Sequence, residues 1–411
     1  MRQLTSLPLD DDIIDRILVF LPNYSTLLAT ILACKHFYDI FKNHPNSIVR
    51  AVSYNVTGPA LPQAIRVLRY TPPDPDASAK DNENTTTSSW KEDDPISPIT
   101  NEECRQLQRN AEVVNTLEDI FSTRHKDRAS RTNVLTSIES WRFRRAMYRM
   151  MLFAKAFPLD DEEEIEFEDA LDPDELQKAR LRRKEFLAEF TNNELCELHS
   201  VSLFLKEVAA WACVASGTYS DETLQSGDVA LARGPALILE AYVAHDVEGL
   251  SGYLTDGIIT QTVEDYISDP LSKIWEERKQ KSPPTDASHW TSILDDIKGD
   301  KDICHSCHVV HGLNLWNETN WEYLDGVPSF FNMQALVKGN LIRNIVDGPT
   351  LKGKIATLRC QNLLKEIHAI PQKNPPFREW DKQDWMCETC IAEIIRSHFH
   401  IWFLERQVES K

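Results

Sequence analysis

The sequence predicts an all-α protein, and three observations carry that prediction. Apolar residues recur at one-face helical spacing through most of the 411-residue chain, strand-like alternation is scarce, and no leucine-rich or WD-type repeat is present. At about 150 residues per domain, the length predicts two or three domains, enough to bury a real core. Hydrophobic residues make up 42% and charged residues 27%, which is ordinary for a globular chain. The net charge of -19 argues against a nucleic-acid binder, because phosphate recognition relies on clustered Lys and Arg. A basic partner or substrate is easier to accommodate.

Taken in order, residues 4–50 predict three short helices. Leu7-Pro8 opens the first, with Asp10, Asp11 and Asp12 near the positive end of its dipole. Ile13, Ile14, Ile17, Leu18 and Leu21 follow at helical spacing until Pro22-Asn23 breaks the run. Ser25 is the expected N-cap of a second helix carrying Leu27, Leu28, Ile31 and Leu32. Cys34, Phe37, Ile40 and Phe41 belong to a third, which ends before His44-Pro45-Asn46. Residues 51–70 read as a helical extension interrupted at Gly58-Pro59.

Composition then changes. Residues 71–100 are rich in Pro, Ser, Thr, Asn and Asp with few apolar anchors, and such a segment buries too little surface to offset its ordering entropy, so a disordered linker is expected. A helical body follows over 101–300. Val113, Val114, Leu117, Ile120 and Phe121 form one stripe, and residues 133–157 form a long helix with Trp141, Phe143, Met147, Met150, Met151 and Phe153. The acidic run from Asp160 to Asp174 reads as a solvated loop. Further apolar helical segments span Leu195 to Val214 and Ala236 to Tyr253, and a second polar break falls near 279–288. Residues 301–411 form a C-terminal subdomain marked by cysteines.

The N-terminus, MRQLTSLPLDDDIIDR, has no apolar core followed by a small-residue cleavage site, so no signal peptide is expected. No stretch approaches the ~18 uncharged apolar residues of a membrane span. A reducing compartment, cytoplasmic or nuclear, is therefore expected, in which the nine cysteines serve as buried thiols or metal ligands. The sequons at Asn55, Asn84 and Asn317 would then go unglycosylated.

Spacing alone gives the first fifty residues only an amphipathic mini-bundle. Their order adds more: Leu7-Pro8-Leu9-Asp10, an apolar helix from Ile13 to Leu21, Leu21-Pro22, Leu27-Leu28, then Cys34-Lys35-His36-Phe37. This ordered set resembles the F-box, and its continuation through Gly58-Pro59-Ala60-Leu61-Pro62 looks like uncharacterised fungal F-box proteins. Two positions depart from the family pattern: Asp10 stands for the usual Glu and Phe37 for the usual Trp. The resemblance implies a three-helix unit that packs into the Skp adaptor, which joins it to a cullin–RING ligase core. By the same resemblance Leu7, Pro8, Ile13, Ile14, Ile17 and Leu18 contact the adaptor or support contacts, and Leu21, Leu27, Leu28, Cys34 and Phe37 complete the core and interface edge. The logic is helix-in-groove: so small a unit has too little core of its own and buries its apolar excess on a partner.

Two CxxC pairs mark the C-terminal region, Cys304-His305-Ser306-Cys307 and Cys387-Glu388-Thr389-Cys390. Each sets two thiolates on one turn, and two such turns complete a tetrahedral zinc site. The second opens a helix with Ile391, Ile394, Ile395, Phe399, Trp402 and Phe403 on one face, whose N-terminal dipole favours thiolate. The separation of Cys307 from Cys387 is far longer than a zinc-finger spacing. His308, His311 or Cys360 are alternative ligands, and plain buried thiols are the bland alternative. Four thiolates leave no open coordination position, so such a zinc is structural.

Other motifs fail on context. Cys304 to His308 also fits a haem-attachment pattern, but the second CxxC accounts for the cysteines better. Gly348 to Lys354 matches the first part of a P-loop, yet Ile355 follows where Mg²⁺ needs Ser or Thr. The resulting expectation is a non-catalytic substrate receptor of a cullin–RING ubiquitin ligase, with an unknown protein substrate. The alternatives are a scaffold that binds the adaptor without ligase output and a zinc or cysteine enzyme.

Overall fold

A computed structural model describes residues 10–71, 97–127, 134–158, 173–216, 227–244, 266–281, 293–295, 299, 301–312, 314–321, 324, 360–369 and 380–409. The all-α expectation holds: 76% of the described residues are helical and 3% strand. The expected linker over 71–100, Leu7, Pro8, and the acidic run up to residue 172 fall mostly or wholly outside the described residues.

The N-terminal unit is built from α1 (Asp11–Val19), α2 (Tyr24–Ala33), α3 (Lys35–Asn43) and α4 (Pro45–Thr57). Asp11 and Asp12 lie in the first turn of α1 and Arg16 in its last, each complementing the helix dipole. Its C-terminal carbonyls are held by Asn55, whose Nδ2 donates to Val19 O at 2.8 Å and Leu21 O at 2.9 Å. The cap of α2 is Asn23 rather than the expected Ser25: the Thr26 N–H donates to Asn23 Oδ1 at 2.8 Å. The helix begins two residues earlier than a Ser25 cap implies, which moves Ser25 into its first turn. Ile14, Leu18, Leu27, Ile40, Ile48, Val52 and Val56 form a small core, closed by Ala111 from the body. Helix α4 runs through residue 50, so the F-box-like segment and the helical extension share one element.

Gly58 breaks the chain at φ +67°, a left-handed value that favours glycine, and a short 3₁₀ turn leads into α5 (Leu61–Arg69). The body continues with α6 (Asn101–His125), α7 (Ser137–Ala156), α8 (Pro173–Ala188), α9 (Asn192–Ser216), α10 (Gly227–Arg233), α11 (Pro235–Ala244) and α12 (Ser268–Lys281). Capping boxes start α6 and α7, with Thr100 paired to Glu103 and Thr136 to Glu139. Helix α7 is buried almost continuously from Ala146 to Ala154, as expected of a helix enclosed on all sides by neighbours.

Phe121 of α6, Phe143 of α7 and Phe204 of α9 meet at centroid distances of 5.0 to 6.0 Å. Ion pairs ring this apolar centre. Arg145 forms a two-pronged pair with Glu197, both Oε atoms 2.8 Å from Nη2, Arg149 reaches Glu194 at 2.8 Å, and Arg144 reaches Glu118 at 2.6 Å. Such pairs fix the register of α7 against α6 and α9 more than they add net stability. The C-terminal unit contains a two-residue strand β1 (Leu315–Trp316), α13 (Cys360–Ala369), β2 (Met386–Cys387) and α14 (Glu388–Glu409).

Candidate functional site

The first candidate is a group of four sulfurs. Asp302–Cys304 and Val309–His311 run antiparallel, with an Ile303–Val310 bridge and the Cys304 N–H donating to Val309 O at 2.8 Å. The tight turn at their tip carries Cys307 and closes where the His308 N–H donates to Cys304 O at 2.9 Å. His308 adopts φ 59°, a left-handed value a β-carbon makes costly. The second pair enters from β2, whose Cys387 lies opposite Leu315 and whose Met386 lies opposite Trp316 on antiparallel β1. Cys390 follows in the first turn of α14. A further bond ties the two turns together, the His305 N–H to Trp385 O at 2.8 Å.

The Sγ atoms of Cys304, Cys307, Cys387 and Cys390 all lie within 4.8 Å of one another. Around a tetrahedral metal at ~2.3 Å, four sulfurs stand ~3.8 Å apart, and Cys307 Sγ is 3.8 Å from Cys387 Sγ. Both pairs share an electrostatic device: the first sulfur accepts the backbone N–H of the second cysteine. At Cys304, burial alone raises the thiol, but N–H groups of Cys307, Cys387 and Ser306 outweigh it and bring it down to about 7. Burial dominates at Cys387, which is pushed up to about 12, and also raises Cys390. Four thiols this close cannot all ionise against one another unless a cation neutralises them. The donor set, its spacing and its N–H support therefore fit a tetrahedral thiolate metal site.

Of the alternative ligands, Cys360 is fully buried at the start of α13 in the apolar core with Leu363, Leu364 and Ile367. His308 is exposed, and His311 Nε2 lies 3.7 Å from Cys307 Sγ, beside the cluster. Cys304 and Cys387 are buried while Cys307 faces solvent.

The second candidate is a surface. Helix α1 carries two apolar stripes, and the structure separates them: Ile14 and Leu18 are buried with Leu21 packed beside them, whereas Ile13, Ile17 and Phe20 are exposed. Helix α2 divides likewise, with Leu27 buried, Ile31 partly so, and Leu28 and Leu32 exposed. Phe20 is 79% and Leu32 74% solvent-exposed, and Tyr38 of α3 is also exposed. Phe37 packs against the small core, and Cys34 is half-buried at the α2–α3 junction. The described residues expected at the adaptor thus divide into a buried set and an exposed set. Sequence reasoning missed Phe20, Leu32 and Tyr38 as surface residues. The signal was present in the 13–17–20 spacing, a second helical stripe alongside 14–18–21.

Among the described residues, no helix is long and apolar enough to cross a membrane. No protein-family model matches the chain, and neither a curated protein nor a solved structure does, so both candidates rest on this chain's own residues.

Proposed function

We propose that this chain is the substrate receptor of a cullin–RING ubiquitin ligase. Its N-terminal unit docks the Skp adaptor, and its helical body with the C-terminal unit holds a protein substrate. The observation carrying this reading is the divided apolar surface of α1 and α2. One stripe on each helix builds the small core, and Ile13, Ile17, Phe20, Leu28 and Leu32 remain in solvent. Exposed apolar stripes on consecutive helices suit burial in a partner's groove, and the order of residues from Asp10 to Phe37 fits the F-box pattern. The shared core of α4 and α6 around Ala111 lets the docked unit carry the body with it.

The reading extends to the sulfur cluster. Cys304, Cys307, Cys387 and Cys390 would hold one zinc ion as thiolates, with no position left for a substrate or water. The role of the metal is to staple two turns 80 residues apart in sequence.

The test is co-expression of the full chain with the Skp adaptor, beside the Phe20→Asp/Leu32→Asp variant. Both side chains lie largely in solvent, so the variant keeps the wild-type melting temperature while losing the adaptor. Wild-type chain that leaves the adaptor behind on purification overturns the receptor reading. Metal analysis of the same preparation is expected to give about one zinc per chain, lost in Cys387→Ser.

A further inference from the structure

Arg124, in the last turn of α6, connects the metal-binding region to the body. Its guanidinium carbon lies 3.8 Å from the ring centroid of Trp211 on α9 and 5.3 Å from that of Trp316 on β1. Its Nη2 is 2.5 Å from Glu207 Oε1, and the neighbouring His125 Nε2 reaches the other oxygen of that carboxylate at 3.0 Å. The aromatic side of this group is enclosed: Trp211 and Trp316 are buried and the Arg124 side chain is 13% exposed, while Glu207 and His125 are partly exposed. One cation thus serves an indole from the body, an indole from the C-terminal unit and a carboxylate from α9.

The position of Trp316 is set from the other side by the sulfur cluster. Trp316 pairs with Met386, the residue before Cys387, and Leu315 pairs with Cys387 itself. Strands of two residues have almost no ladder to hold them, so their register depends on what fixes their ends. The cysteine side chains, drawn to a common centre, hold β2 against the first turn, beside the His305 N–H on Trp385 O at 2.8 Å, while the Glu318 N–H on Lys382 O at 2.8 Å ties the flanks of β1 and β2.

We infer that the C-terminal unit is a metal-set latch on the helical body, closed when zinc holds β2 in register so that Trp316 covers Arg124. The inference rests on the zinc reading of the four sulfurs. With the metal in place, Trp316 completes the enclosure of the Arg124–Glu207 pair and shields the adjoining ends of α6 and α9 from water. Release of the thiolates leaves β2 on its few remaining hydrogen bonds, its pairing with β1 loosens, and Trp316 withdraws. A planar guanidinium suits this place better than an ammonium, because its flat face lies against an indole while its edge binds a carboxylate.

The experiment is hydrogen exchange read by mass spectrometry on the full chain, zinc-loaded and after removal of zinc by a chelator. Expected is a several-fold faster exchange over 118–127 and 204–211 once zinc is removed, with α1 to α4 unchanged. The Arg124→Lys variant should keep its zinc and its charge yet exchange faster over the same two segments while loaded. Stoichiometric zinc whose removal leaves both segments unchanged overturns the latch and leaves the metal reading standing. So does a zinc-loaded Arg124→Lys protein indistinguishable from wild type. A chain that carries no zinc and takes none up overturns the metal reading, and the latch with it.

Discussion

Glu139 gathers three parts of the body on one buried carboxylate. It accepts the Lys126 ammonium, the Thr136 N–H at 2.8 Å and the Asp295 N–H at 3.1 Å. Burial works to raise its pKa, but Lys126 and these backbone donors outweigh burial and hold the carboxyl at about 2. A carboxyl lowered in the folded state stabilises above its unfolded value and loses that contribution as pH falls toward the folded one. Glu139→Gln should therefore cost on the order of 3 kcal/mol at pH 7 by urea titration. That gap should narrow as pH drops from 4.5 toward 2, and a gap independent of pH would show that the charge is not what matters. The sequence marks Glu139 only as the end of a capping box after Thr136; its bond to residue 295 spans 156 positions, and no local pattern encodes that. Gly234 is a second residue-scale case, at φ +84° with a β-carbon position 3.3 Å from Ala154 Cβ. Gly234→Ala should lower stability by about 1–2 kcal/mol in the same titration.

At the scale of elements, most helices are visible in the sequence because apolar spacing and caps agree. Asn101–His125 and Ser137–Ala156 both begin at a Thr-x-x-Glu box, and Pro45 and Gly58 mark the ends of α4. What periodicity leaves open is which of two apolar faces is buried. In α1 the stripes 13–17–20 and 14–18–21 are equally regular, and only the three-dimensional packing of α3 and α4 selects the second. The sequence pattern also misplaces the start of α2 at Ser25, since Asn23 is an equally good cap residue and it is Asn23 that accepts the Thr26 N–H. Replacing Asn23 by Ala should cost about 1 kcal/mol in thermal or urea unfolding, whereas Ser25→Ala should stay within about 0.5 kcal/mol.

Across the whole molecule, the helical class and the convergence of two cysteine pairs were both legible, the first from spacing and the second from the geometry a CxxC turn imposes. The choice among ligands was not. His308, His311 and Cys360 are all close to the pairs in sequence or chemistry, and only folding puts Cys360 in the apolar core and His311 at the cluster's edge. The contact of Trp316 with Arg124 joins positions from separate regions, and aromatic and basic residues are too common for their meeting to be foreseen. Cobalt added to the metal-free chain should give the intense absorption of a tetrahedral thiolate site, and the Cys307→Ser variant should weaken it.

The separation of 80 positions from Cys307 to Cys387 also bears on the order in which the chain acquires its shape. Joining the ends of a segment that long costs about 4 kcal/mol of chain entropy before any contact is gained, while α1 to α4 meet across short loops. Contacts of low sequence separation form fast and distant ones slowly. Refolding from denaturant should accordingly recover the circular-dichroism signal of the helices first and the cobalt–thiolate band later, with a lag. During that lag the cysteines are unprotected, so under the proposed zinc reading the availability of metal at the moment of folding becomes a determinant of yield.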